Sequence, residues 1–530
     1  MHNGHGSIPL AFAALDWVVV AGYFALLALS GWWFSRRSPS GSEEYFLAGR
    51  RMPVWVVAIS VVATATSAAT FIGAPEEAYS GNLTYLSTNI GSLLAVGIVA
   101  AFFIPAFYRH RVTTVYDLLE VRYGRKAKVA ASWAFLAGRV MASGARLFIG
   151  ALPLSLILFE HTHTWAVMAS IGVLVVVGIL YTLVGGLRAI IWTDAIQTLV
   201  FVSAVTAAAV ILINRIPASP QEIYNALAST KVADGTKLTV LNTGLSTSQP
   251  WFGFDVSQTY TLLTAIGGFS ILMVAAYGTD HDLAQRMLAC KSASRGSASA
   301  VIAILVNLPI VALFMVIGLL LFVYYQRPDL MGSAAPAYSP EKGREVFLSF
   351  ILKDMPAGLT GLMLAGLFAT GLGSFNSALN AMAAAFINDA YKPRLPGKSE
   401  RHYLLAGRLA VVAWGVVLGL FACLCVHWQQ SSEQTLIRFA LQVMTFAYAG
   451  LVAVFGCAIF TKRGNQGTAI AALATGFLAV LLMQPWVWKH WAWMLGWESV
   501  KIAFPWQLFL ATGAALVVCA AGSRKGATRA

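Results

Sequence analysis

Apolar runs of about 20 residues recur from one end of this 530-residue chain to the other, the length a helix needs to cross roughly 30 Å of hydrocarbon. Inside lipid every backbone N–H and C=O must find its partner within the element, so such runs fold as helices. Only 11% of the residues are charged and 58% are apolar, whereas a soluble domain is about a quarter charged. The chain therefore reads as an all-α, multi-pass membrane protein. About thirteen spans are expected, at 14–34, 53–79, 83–108, 128–158, 165–185, 187–213, 257–280, 296–325, 357–390, 402–427, 435–460, 466–486 and 504–522. The first has no basic segment before it and no small-residue cleavage site after it, so it reads as a retained span rather than a signal peptide.

Lys and Arg collect in alternate connections. Arg36, Arg37, Arg50 and Arg51 follow the first span, and Arg109, Arg111, Arg122, Arg125, Lys126 and Lys128 follow the third. Arg286, Lys291 and Arg295 follow the seventh, Lys392, Arg394, Lys398 and Arg401 the ninth, Lys462 and Arg463 the eleventh, and Arg524, Lys525 and Arg529 the last. The short loops 80–82, 159–164 and 428–434 carry none. Basic loops stay cytoplasmic, which sets the N-terminus outside and the C-terminus inside a plasma or inner membrane. The same loops account for the net charge of +14 without a nucleic-acid partner. The five cysteines show no CxxC or Cys/His metal spacing. There is no HExxH, GxSxG or P-loop motif, so no enzyme is expected. "WVWKHWAWMLGW" reads as an interfacial aromatic belt. The long outside loops, about 214–256 and 326–356, are each expected to hold a short amphipathic helix.

Two spans depart from the apolar rule. The second contains "ATATSAAT", residues 63–70, four hydroxyl residues among four alanines, followed by Gly73, Pro75, Glu76 and Glu77. The seventh contains Gly267-Gly268 near its middle. They lie five spans apart and begin on opposite sides of the membrane. Interrupted helices at matching positions of two inverted halves mark transporter binding sites, because unwound backbone is tolerated in a membrane only where it is buried or lines a cavity. The organisation expected is 1–52 as an extra helix and loop, 53–213 as the first repeat, 214–256 as a loop, 257–460 as the second repeat and 461–530 as extra helices.

Few polar residues within the spans could carry chemistry. Asp194 sits in the sixth span, about 10 Å inside its cytoplasmic edge by helix rise. A carboxylate there is expensive; it either binds an ion or pairs with Arg188 or caps a neighbouring helix. On the ninth span Gly373, Ser377 and Asn380 share one face, with Ser374 and Asn376 beside it, which suits either oxygen ligation of a hard cation or close helix packing. Arg139 and Arg146 lie two turns apart on the fourth span. One could clamp a solute carboxylate with bidentate geometry, or both could pair structurally. "QRMLACKSASRG" reads as a basic cytoplasmic loop.

Taken in order, "EYFLAGRRMPVW", "ATSAATFIGAPEEAY", "GGLRAIIWTDAIQ", "GTDHDLAQRMLACKS" and "GSFNSALNAMAAAFINDAYKP" resemble the sodium:solute symporter family from about Glu44 to Lys462. That resemblance implies a LeuT-type inverted-repeat (5+5) core with two broken helices, and sodium as coupling ion. It implies a principal sodium site at Ala63 and Thr66 on the break and Thr370 and Ser374 on the ninth span. It implies, from some relatives, a second sodium site at Asp194, Asn376 and Ser377. Solute-contacting positions match Ser67, Thr70, Tyr85 and Asn89, and Arg139 and Arg146 of the fourth span join them as candidates by their charge and depth. Two adjacent hydroxyl residues are common in the family where Gly373-Ser374 stand here. The Glu-Gln type pair of sugar carriers is replaced by Ala69-Thr70, which speaks against a sugar.

The reading that results is a sodium-coupled symporter importing a small, carboxylate-bearing solute of sialic acid or monocarboxylate type. A proton-coupled carrier of the same fold, with Asp194 protonated, and a sugar or polyol symporter are the transport alternatives. A solute sensor is the alternative outside transport.

Overall fold

The computed structural model describes residues 13–35, 42–233, 235–245, 253–340, 342–430, 435–495 and 500–522. The basic residues Arg36, Arg37, Arg524, Lys525 and Arg529 lie outside them. The helices that build the protein are α1 (Ala14–Ser35), α2 (Val54–Ala65), α3 (Ala68–Ser80), α4 (Thr84–Arg109), α5 (Arg125–Phe159), α6 (Thr164–Leu183) and α7 (Gly186–Arg215). After them come α8 (Pro220–Ser229), α9 (Leu262–Thr279), α10 (His281–Leu288), α11 (Ala293–Gln326), α12 (Gly343–Lys353), α13 (Leu359–Tyr391), α14 (Glu400–Gln430), α15 (Leu436–Phe460), α16 (Gln466–Leu482) and α17 (Phe504–Ala520). Among the described residues nine of these are long and apolar enough to cross a membrane, and α2 with α3 makes a tenth candidate, bent by 62°. Shorter apolar helices, Ala14–Ser30 within α1, α16 and α17, stand at the first, twelfth and thirteenth expected positions.

The most apolar stretch of α13 is 89% buried, against 44% for α4, α7 and α11. Hence α13 runs through the protein core while the other three turn apolar side chains outward. Small residues along α13 permit this close passage: a methyl group added to Gly366 would stand 3.1 Å from Ala204 and Phe201 of α7. α6 and α7 follow without a loop because Gly186 turns the chain with φ +60°, a conformation that side-chain-bearing residues rarely adopt. Asp16 of α1, fully buried, accepts from the backbone N–H groups of Gly358 and Gly361 at 2.7 Å each. It thereby caps the N-terminus of α13 from a distant helix. The two loop helices expected from sequence are α8, opened by a Ser219/Glu222 capping box, and α12. Between α8 and α9 a two-stranded antiparallel ladder pairs Lys231–Val232 with Gly235–Thr236.

The break expected at Gly267-Gly268 is elsewhere. Those glycines lie in a continuous π-helical turn, Ala265–Phe269. A methyl group on Gly268 would stand 2.3 Å from the Pro505 carbonyl oxygen at the start of α17. The pair serves helix–helix approach, not unwinding. The chain leaves helical geometry at Asp280 (φ −84°, ψ 119°), between α9 and α10. Gly268→Val is therefore expected to cost about 1–3 kcal/mol through overpacking and to leave any sodium-dependent stabilisation unchanged. Thermal unfolding with and without sodium checks both halves.

Candidate functional site

The break in the second span is a two-residue interruption. Thr66 closes the last helical bond of α2, its N–H donating to the Val62 carbonyl at 2.8 Å, and then Thr66 (ψ 114°) and Ser67 (ψ 174°) are extended. The ladder resumes with the Thr70 and Phe71 N–H groups on the Ser67 carbonyl, at 2.9 and 3.0 Å. With Thr66 turned out of the helix, the Ala63 carbonyl loses its fourth-neighbour donor, and Thr66 presents its own carbonyl at the kink. α13 meets this break where Gly371 faces Ala68, with Gly150 of α5 beside them. Thr370 and Ser374 stand on either side of Gly371. Each is buried, and the Ser374 hydroxyl donates to the Thr370 carbonyl at 2.9 Å, leaving its lone pairs to accept. Oxygen atoms of Ala63, Thr66, Thr370 and Ser374 are the donor type a hard monovalent cation takes.

A central cavity opens beside the break. Ser67, Thr70, Tyr85, Asn89, Arg139 and Arg146 all line it, and Thr66, Asn307 and Tyr448 are among the other polar residues of its wall. The two arginines are in different states. Arg139, 3% exposed, is ion-paired to Asp282 and lies 3.4 Å from Asp280. Arg146 has no carboxylate within ion-pair distance among the described residues; its Nη2 reaches only the Met444 sulfur, at 3.5 Å. A guanidinium left so in a partly buried cavity wall lacks the partner that its desolvation calls for.

Behind the cavity lies a charge cluster. Asp194 accepts from the Ser60 hydroxyl at 2.5 Å and from Arg286 Nη2 at 3.2 Å. Arg286, wholly buried, also donates from Nε to Ser60 Oγ at 2.9 Å and from Nη1 to Asp282 Oδ1 at 2.9 Å. The Ser377 hydroxyl donates to Asp282, and the Tyr448 hydroxyl donates to Asp280 at 2.6 Å. The cluster thus ties α2 and α10, which flank the two breaks, to α5, α7, α13 and α15. Two expectations are corrected. Asp194 pairs with Arg286 and not with Arg188, which is exposed. The "QRMLACKS" stretch is not a solvated loop at its start, since Arg286 is 0% exposed inside α10. Sequence reasoning passed over Asp280, Asp282 and Arg286. Their signal was three charges within seven residues at the end of an apolar span.

The model of the sodium:solute symporter family matches residues 45–476. The chain belongs to the sodium:solute symporter family. This symporter is 28% identical to the sodium/sialic acid symporter SiaT of Proteus mirabilis over 480 residues, 89% of each chain. It is 27% identical to human sodium-coupled monocarboxylate transporter 1, over 88% of this chain and 72% of the relative. A substrate-bound, outward-open Na+-coupled sialic acid symporter superposes with a TM-score of 0.77 at 25% identity, covering 96% of this chain and 97% of the other. MhsT in complex with L-phenylalanine shares the fold alone, with a TM-score of 0.50, 15% identity and coverage of 88% and 98%. The symporter's architecture is thus an all-α, LeuT-type one, and its family is one of transporters, not enzymes.

Proposed function

We propose that this protein is a sodium-coupled symporter that imports a small carboxylate-bearing solute across a cell membrane, with its N-terminus outside. The observation that carries the solute class is Arg146, a cavity-lining guanidinium with no carboxylate of its own. A planar fork of donors matches a carboxylate bidentately. Arg139 lines the same cavity, but its charge is committed to Asp280 and Asp282, so its role is to hold the wall. Relatives named for sialic acid and monocarboxylate transport support the reading, since both solute classes are carboxylic acids.

In this reading residues 53–213 and 257–460 form the two inverted repeats. Sodium is a co-substrate taken at Ala63, Thr66, Thr370 and Ser374. Thr66 and Ser67 are consecutive, and Ser67 and Thr70 line the cavity, so sodium ligand and solute contacts share one turn of broken chain. Ordering that turn for one cargo prepares it for the other, a reciprocal coupling free energy. Tyr85 and Asn89 close the far side of the solute.

Thermal unfolding of the purified protein in sodium and in potassium, each with carboxylates, polyols and amino acids, tests the proposal. A ligand of the native state adds about 2.7 kcal/mol at a hundredfold excess over its dissociation constant. The expected result is a sodium-specific rise in Tm, enlarged by a carboxylate. A solute shift that ignores sodium and follows pH would replace the sodium reading with a proton-coupled one.

A further inference from the structure

Of the residues that the family resemblance assigns to a second sodium site, Asp194 and Ser377 are engaged by other protein groups. Asp194 Oδ2 is engaged by Ser60 and Arg286. Its Oδ1 faces Gly373, standing 3.8 Å from where a β-carbon would be, and glycine offers no hydroxyl there. Ser377 donates to Asp282 instead. The Asn376 oxygen has no partner but lies against α6, 3.0 Å from the β-carbon position of Gly178. These three side chains serve three different neighbours, and the oxygen that stands with Asp194 Oδ1 against Gly373 is Gln197 Oε1, 2.7 Å from the same β-carbon position.

What does meet Asp194 is a guanidinium. Arg286 makes four hydrogen bonds, to Ser60, Asp194 and the side chain and carbonyl of Asp282, nearly the full five-donor capacity of the group. Charge points the same way. Asp194, Asp280 and Asp282 stand against Arg139, Arg286 and, two turns along α5 from Arg139, Arg146. Three carboxylates and three guanidinium groups leave this interior neutral before any cargo enters. One solute carboxylate then admits one sodium; a second would leave an uncompensated buried charge, which costs several kcal/mol.

We propose that Arg286 is a resident cation occupying the Asp194 carboxylate, so that this carrier takes one sodium per cycle, at the principal site, and none beside Asp194. The inference rests on the symport reading above for its stoichiometry, and on the Arg286–Asp194 geometry for its cause.

The experiment is radiolabelled sodium binding to the purified full-length protein, with the sodium-to-solute ratio taken from reversal potentials in proteoliposomes. One sodium per protein is expected. Asp194→Asn is expected to keep that sodium, whereas Ser374→Ala weakens it about tenfold or more, as loss of a ligand to a charged group does. Two sodium ions in the wild type, reduced to one by Asp194→Asn, would overturn the proposal. Absence of sodium binding sinks the symport reading itself, and the pairing is then judged in sodium-free buffer. There Asp194→Asn and Arg286→Gln should each lower Tm, with the double variant no lower than the worse single one. Additive losses would show that the two groups do not act as a pair.

Discussion

Arg146→Gln is expected to weaken solute binding by about 30-fold or more, the loss of a buried charge-assisted pair at 2–5 kcal/mol, while the sodium-induced rise in Tm without solute persists. The separation follows from placement. Arg146 lies on α5, lines the cavity and meets no carboxylate among the described residues, whereas the proposed sodium ligands lie on the break and on α13. Arg146→Lys keeps the charge but not the fork and should fall between the two. Titration of solute affinity by Tm or by binding, at saturating sodium, reads the effect. An unchanged affinity in Arg146→Gln would mean that the solute carboxylate is held elsewhere, or that the solute has none. Arg139 behaves differently in this account: its removal strands Asp280 and Asp282, so the loss appears in stability before it appears in affinity.

Asp282→Asn carries the largest expected cost in stability, about 3–5 kcal/mol, because it breaks buried ion pairs from one side. Asp282 is 1% exposed and serves Arg139, Arg286 and Ser377 together. Without its charge two guanidinium groups share the remaining carboxylates. Thermal unfolding in potassium without solute isolates this effect from cargo binding. A variant as stable as wild type would show that the cluster is not held by its charges.

The spans and the first break were legible because both are local. Runs of apolar residues fix where helices lie, and "ATATSAAT" withholds the aliphatic side chains that would anchor a continuous one. All six solute-contacting candidates fall on one cavity, a grouping that required the family motifs as well as the residues. The second break was misplaced because glycine has two uses. At Gly268 it buys close approach to Pro505, and nothing in the sequence says that residue 505 will arrive there. Asp280, where the chain does leave the helix, carries a cap for its own next turn, accepting from the Asp282 N–H at 3.0 Å, and that signal was overlooked. Arg286 was hidden for a further reason. Counting Lys and Arg in loops predicts orientation, but it cannot tell a solvated arginine from one whose partner sits 92 residues earlier.

The Asp16 cap has a consequence for how the protein is made. α13 begins without a side-chain cap of its own, and the carboxylate that serves its first N–H groups belongs to a residue synthesised 342 positions before Gly358. A helix synthesised well before α13 therefore holds open the socket that α13 fills. α13 completes its N-terminal end by docking against α1, which makes α1 a template for the order in which the bundle closes.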